Sequence, residues 1–186
     1  MKKTLRSVAL ALLAALVLVT LPAAKAQAGT NINLSDKPWS VGLQLGFIML
    51  VVPDVGTFSA FSMEIPVEYT FKVGPGELAP HFGFMVNVRK KAASIALPIG
   101  ARYKIRVLKD HPLYVWPLLD IGPSFDVSKG GNGTASGFLR VGAGISYLVH
   151  PNVELMFQPL NLGATFAADV DACFIYQLLL GTNFRF

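Results

Sequence analysis

From residue 39 onward the chain alternates, and that alternation limits what it can fold into. Trp39, Val41, Leu43, Leu45, Phe47 and Met49 share one parity, while Ser40, Gly42, Gln44 and Gly46 share the other. The pattern returns over residues 61–72, where Phe61, Met63, Ile65, Val67, Tyr69 and Phe71 alternate with Ser62, Glu64, Pro66, Glu68, Thr70 and Lys72. It returns again over 81–89, 96–107, 114–122, 139–149, 153–158 and 176–186. A period of two places successive side chains on opposite faces of a β-strand. Four successive segments put their charges on one face and almost none on the other. The expectation is eight strands of an all-β chain.

The connections fall where Gly, Pro, Asn and Asp cluster. Gly74-Pro75-Gly76, Lys109-Asp110-His111-Pro112 and His150-Pro151-Asn152 read as tight turns. The alternate connections, at 52–60, 90–94, 128–136 and 160–171, read as mostly longer loops, with 90–94 short for its class. Short turns on one side and long loops on the other are the asymmetry of a transmembrane barrel. Hydrophobic residues make up 53% of the chain, yet beyond the N-terminal segment no apolar run reaches the length of a membrane helix. Strands in hydrocarbon must close, because an open edge leaves backbone N–H and C=O groups unpaired at several kcal/mol each. The sequence therefore predicts an eight-stranded antiparallel transmembrane β-barrel, an up-and-down meander over residues 39–186. Pro66, Pro98 and Pro117 lie inside these strands and lack a ladder donor, so local bulges or shifted boundaries are expected there. A new register at Pro117 would reverse the inward and outward sides of the fifth strand.

The first residues carry an export signal. Met1-Lys2-Lys3-Thr4-Leu5-Arg6 is basic, residues 8–21 are apolar and uncharged, and small residues precede a cut after Ala26 or Ala28. That is the three-part form of a secretory signal peptide, here residues 1–26. Residues 27–38 then form a short periplasmic segment. Four of the 16 basic residues lie before the cut, which leaves 12 against 11 acidic residues and a formal charge near +1. The basic balance of the full chain is no argument for nucleic-acid binding. The single cysteine, Cys173, cannot form an internal disulfide and lies too far downstream for lipoprotein processing.

The final strand adds a second signature. Tyr176, Leu178, Leu180, Phe184 and Phe186 share one parity, with Thr182 a departure, and the sequence closes on Phe186. This resembles the C-terminal signature of outer-membrane proteins, which the barrel-assembly machinery reads. The stretches LPIGARYKI (97–105) and RVGAGISYLVHPNVEL (140–155), together with the final strand, are similar to the small eight-stranded outer-membrane barrels of the OmpA/OmpX and opacity-protein type. The resemblance implies an exported protein of the outer membrane, surrounded by lipid and lipopolysaccharide. It also implies a monomer without a cofactor. No peptidoglycan-binding domain follows Phe186, so the cell-wall tether of larger relatives is not expected. A secreted lipocalin-type barrel uses the same periodicity turned inside out, with an apolar lumen. Period alone does not choose between them. The final Phe, the loop asymmetry and two aromatic girdles favour the membrane. Trp39, Tyr69, Phe71, Phe82, Tyr147, Phe184 and Phe186 would form one girdle, and Phe47, Phe61, Phe125 and Phe174 the other.

Eight strands leave an interior that side chains can fill. Glu64, Glu68, Asp120 and Glu154 face Arg102, Lys104, Arg140 and Arg185 on the inward parity, so mutual ion pairing is expected, with glycines leaving room for the long side chains. The expected role is structural or interactive. A narrow small-solute channel is the first alternative and a lipid A-modifying enzyme the second. His81, His111 and His150 read as turn or rim residues, with no Ser–His–carboxylate group at one height and no metal-ligand spacing. Gly130-Gly131-Asn132-Gly133 lacks the Lys-Ser/Thr of a phosphate loop and reads as a loop tip. Arg89-Lys90-Lys91 is the one basic cluster, placed where lipopolysaccharide phosphates would lie. The apolar stretch 160–171 reads as a loop that folds over the mouth or meets a partner.

Overall fold

The computed structural model describes residues 33–52, 56–90, 92–108, 110–128, 133–167 and 170–186. The signal peptide, Lys91, and Gly130, Gly131 and Asn132 of the loop tip lie outside them. A short 3-10 turn, η1 (Leu34–Asp36), is followed by ten strand segments. These are β1 (Trp39–Val52), β2 (Gly56–Tyr69), β3 (Phe71–Val73), β4 (Gly76–Arg89), β5 (Ala92–Ala96), β6 (Ile99–Arg106), β7 (Leu113–Ser128), β8 (Thr134–His150), β9 (Val153–Ala167) and β10 (Val170–Arg185). Thr70 separates β2 from β3, and Leu97-Pro98 separates β5 from β6. Both members of each pair lie along β4, so ten segments make eight positions in the ring.

The ring closes. β1 pairs antiparallel with β2 on one side and with β10 on the other, from Ser40↔Arg185 to Val51↔Phe174. All neighbours are antiparallel, and apart from the closing pair each of the eight positions pairs with the next one in sequence, which is an up-and-down meander. Trp39 and Arg185 stand at one rim, called the near rim. Val52, Arg89 and Ala167 stand at the far rim.

The sides of the wall follow the parity of the sequence. Trp39, Leu45, Phe47, Phe61, Phe82, Leu119, Ile121, Val141, Leu180 and Phe184 all face outward. Every polar residue at Ser40, Gln44, Glu64, Glu68, Arg102, Asp120, Arg140 and Glu154 is turned inside and is 0–2% exposed. A lumen of charge within an apolar wall is the reverse of a lipocalin, and the soluble alternative fails on that point. Aromatic rings gather toward both rims. Trp39 and Tyr69 meet edge-on at 5.0 Å and Tyr69 lies 6.2 Å from Phe71 at the near rim. Phe47 and Phe61 meet at 6.4 Å farther along. Such rings anchor a barrel at the two lipid–water interfaces.

Three expectations are corrected. The loop asymmetry is absent. The residues read as loops at 52–60 and 160–171 are largely strand, and the longest interval between strands, Arg106 to Leu113, is at the near rim. The strands have 14–17 residues where the ring is unbroken, more than the 9–11 that cross a bilayer. Leu160 and Leu162 continue the outward wall instead of covering the mouth.

The prolines are the second correction. Pro66 pairs with Gly83 and Pro117 with Ala143 in unbroken register, so neither forms a bulge and the sides of β7 are not reversed. Only Pro98 interrupts a strand, and Gly83 and Leu97 keep the neighbouring bonds to Pro98 O and Pro123 O at 2.7 and 3.0 Å. A bulge lies instead in β9 at Pro159, where three steps of β9 span two of both β8 and β10. A residue without an N–H is tolerated where the ladder is already broken. The extra residue flips the parity of β9, so Gln158 and Asn161 are both inside.

The histidine at position 81 is the third. It is buried within the lumen, 5% exposed, because β4 begins at Gly76 and carries its alternation further toward the near rim than the sequence pattern indicated. His111 and His150 are exposed at the near-rim connections.

Candidate functional site

The lumen is the candidate site, and its charges are set by strand register. Asp120 on β7 stands directly opposite Arg140 on β8, and cross-strand pairs of opposite charge stabilise a sheet. Arg140 donates from Nε to Asp120 Oδ2 at 2.7 Å. Its two terminal nitrogens also reach across the lumen to Glu64, at 2.7 and 3.0 Å. A planar guanidinium suits such forked contacts. Nη1 donates further to Gln177 Oε1 at 2.7 Å, and Gln177 Nε2 donates to Ser62 Oγ at 2.7 Å. His81 Nε2 lies 2.8 Å from the other Asp120 oxygen. One arginine therefore links β2, β7, β8 and β10.

A second layer lies toward the near rim. Arg102 pairs with Glu68, and its guanidinium rests 4.9 Å from the Trp116 ring centre, a cation–π contact. Lys104 Nζ donates to Glu68 Oε2 at 2.9 Å and to Glu154 Oε1 at 3.0 Å. Arg185 Nη1 donates to Glu154 Oε2 at 2.9 Å. The chain Arg102–Glu68–Lys104–Glu154–Arg185 alternates in sign. Arg102 Nη2 comes within 4.0 Å of Glu64 and so touches the first layer. All eight charged residues expected in the lumen are there and fall in this one network.

The room left by small residues goes to other side chains than expected. A Cβ at Gly144 would run into Trp116, and one at Gly42, Gly100 or Gly142 would meet Asn183, Asp120 or Asn161. Only at Gly83 would it meet a long acid, Glu64, at 3.4 Å. Trp116 Nε1 and the Asn183 amide have no protein partner, and buried groups of this kind are satisfied by water.

Glu77 and the N-terminal turn were not legible as parts of this site. Glu77 sits on the inward parity of β4 and is 6% exposed. Its carboxylate accepts from Ser35 N at 2.8 Å and from Leu34 N at 3.3 Å. Arg185 Nη2 donates to Leu34 O at 2.9 Å and to Thr70 Oγ1 at 2.8 Å. The Leu34 side chain, 1% exposed, packs on Tyr114 and Leu148. Lys37 Nζ donates to Asn152 Oδ1 at 2.7 Å and ties the turn to the β8–β9 connection. Of the short periplasmic leader expected at 27–38, residues 27–32 lie outside the described residues, and residues 33–38 stop the near-rim mouth. Extending the alternation of β4 backward through Ala79 to Glu77 is the signal that would have found the acid.

The remaining named residues lie outside the lumen. Leu180, Phe184 and Phe186 point outward at 43%, 56% and 63% exposure, with Tyr176 and Leu178 on the same side. Arg89 and Lys90 are exposed at the far rim, and the Arg89 guanidinium lies 5.4 Å from the Phe58 ring centre. Among the described residues no group of three or more His, Cys, Asp or Glu side chains is placed to hold a metal ion.

A closed eight-stranded meander with an apolar wall and a charged, plugged interior defines the class: this is the fold of the small outer-membrane β-barrels. The chain is similar in structure to Neisserial surface protein A, with a TM-score of 0.61 and 18% identity over 80% of this chain and 97% of that one. It is also similar to Ail, the attachment invasion locus protein of Yersinia pestis, with a TM-score of 0.54 and 14% identity over 80% and 99%. No family model matches the sequence, and no curated protein matches it.

Proposed function

We propose that the protein is an integral outer-membrane barrel with a structural or interaction role and a lumen closed to solutes. The observation that carries this reading is the double layer of ion pairs. Arg140 holds Glu64, Asp120 and Gln177 from one side of the lumen to the other, and the Leu34 turn stops the mouth beneath them. Opening a path through this network would strand buried charges, which is costly. The protein is a monomer in this reading, because the apolar wall runs around the ring and lipid can cover all of it. It is not an enzyme, since its one buried histidine is held against Asp120 in the packed interior. Tyr176, Leu178, Leu180, Phe184 and Phe186 serve the assembly machinery, and Arg89, Lys90 and Lys91 meet lipopolysaccharide phosphates.

The test is made on outer-membrane fractions in SDS, unheated and boiled, and on purified protein in a planar bilayer. A heat-dependent gel shift with no conductance is expected. Stable ohmic steps would replace the closed barrel with a narrow channel. Recovery in the soluble periplasmic fraction without a shift would overturn the location itself.

A further inference from the structure

We propose that the far half of the lumen is a binding pocket for one small molecule with an aromatic ring or short alkyl chain and a single hydroxyl group. This goes beyond the structural role, which does not require the far half of the lumen to be apolar or to hold a space.

A cavity of about 120 Å³ lies there and reaches the rim at Val52 and Arg89. Ile48, Ala60 and Ile175 pack together on one side of it, and Met85, Ala96 and Phe138 on the other. It is blind. Below it the Arg140 guanidinium comes within 3.9 Å of Met85 Sδ, and Gln177 within 3.2 Å, so the ionic layer forms the base. A cavity of roughly 150 Å³ lined by Leu, Ile and Phe accepts benzene, and this space suits a ligand of about that size or slightly smaller.

The polar groups choose the ligand's chemistry. Asn87 lines the cavity and is 6% exposed. Its Nδ2 donates to Ser94 Oγ at 3.1 Å, while its Oδ1 has no protein partner. That free acceptor calls for one donor, as a hydroxyl supplies. A charged ligand is disfavoured, because burial against the apolar lining would strip its water. Ser94, Ser124 and Thr165 also line the cavity, but among its lining side chains only the Asn87 oxygen is a buried acceptor left without a partner. Asp126 and Arg89 line it with opposite signs and confer no preference for either.

The test uses the full barrel in lipid nanodiscs, labelled at its methionine methyls, with phenol and toluene as probes. Met85 lines the cavity, Met49 faces lipid and Met156 is buried lower in the lumen, so one spectrum separates binding from partition into lipid. Saturable movement of the Met85 resonance is expected with both probes, with phenol the tighter. Asn87→Leu should weaken phenol about tenfold, the worth of one net hydrogen bond, and leave toluene unchanged. Ala96→Phe should abolish both responses while the heat-dependent gel shift persists. A Met85 response that is absent, that merely tracks Met49, or that survives Ala96→Phe would overturn the pocket. Equal weakening of phenol and toluene by Asn87→Leu, or of neither, would overturn the hydroxyl assignment.

Discussion

The two halves of the lumen are built from the same ring of strands, yet they are filled by opposite chemistry. The near half is a lattice of charge in which Glu68 and Glu154 meet bases, Glu77 meets backbone amides and Leu34 stops the mouth. The far half is lined mainly by Ile48, Met85, Phe138 and Ile175, with Asn87, Ser94, Ser124 and Thr165 among them, around an open space. Period-two alternation sets which side of the wall is inside, but not what the inside is made of. The outer surface shows no such division, since apolar side chains face outward in both halves. The difference therefore comes from within: one half is packed to hold the ring together and the other leaves room.

Breaking the ionic half should have the largest effect. Arg140→Ala leaves Glu64, Asp120 and the Gln177 carbonyl facing one another without their shared donor. Removing one partner of a buried ion pair costs about 3–5 kcal/mol. The expected result is a clear fall in the temperature at which the folded gel band converts to the unfolded one. Arg140→Lys should recover only part of the loss, because an ammonium cannot serve both carboxylates in a forked geometry. Full stability in Arg140→Ala would mean that register, and not this network, holds the lumen.

The near-rim stopper sharpens the comparison at a smaller scale. Leu34→Ala removes a fully buried side chain, a change worth about 2–5 kcal/mol in a packed core. Here the loss is capped by undocking of the turn, so the barrel itself should convert at nearly the parent temperature. The readout is amide exchange at Leu34 and Ser35, whose N–H groups donate to Glu77, and it should be faster in Leu34→Ala and in Glu77→Gln than in the parent. Unchanged exchange in both variants would show that Leu34 and Glu77 do not hold the turn.

How much of this was legible in the sequence varies by residue. Once the apolar parity is set against lipid, Asp120 and Arg140 are assigned to the lumen by parity, and so are the other six charges, because a slip of one residue would have put charge on the apolar wall. Glu77 escaped because the turn at Gly74-Pro75 hid how early β4 begins, and His81 was placed at the rim for the same reason. Leu34 escaped because a three-residue turn has no period to read. Pro159 misled most. Its bulge flips the parity of β9, so the stretch after it looked like a loop although Leu160 and Leu162 continue the wall. Pro66 and Pro117 misled in the opposite sense, since each sits in unbroken register. A proline therefore marks a position without a donor, and the ladder decides whether a bulge follows.

That distinction gives a weaker prediction. Pro159→Ala restores an N–H at the bulge, while Tyr176 still donates from its hydroxyl to the residue-159 carbonyl, 2.8 Å away in the parent. The bulge should persist, because removing it would return Gln158 and Asn161 to opposite faces and expose one of them to lipid. Amide exchange in nanodiscs should show position 159 exchanging quickly between protected neighbours. Strong protection there would mean that the proline itself creates the bulge.

The smallest expected effect is at the far rim, and it tests whether the apolar half of the lumen depends on the charges at its edge. Arg89 lies over Phe58 and is exposed, and a cation–π contact at such a site is worth about 0.5–1 kcal/mol. Arg89→Ala should move the conversion temperature only slightly, because water already screens the charge and among the described residues no ion-pair network converges on it. Its effect on lipopolysaccharide should be larger than its effect on stability if phosphates are what Arg89, Lys90 and Lys91 meet. Binding to lipopolysaccharide vesicles should weaken in Arg89→Ala and weaken further with added salt, since exposed charge interactions are screened over about 10 Å at 0.1 M. Equal binding by parent and variant at low salt would leave the far rim with no role in lipid recognition, and would separate the pocket at its centre from the charges around it.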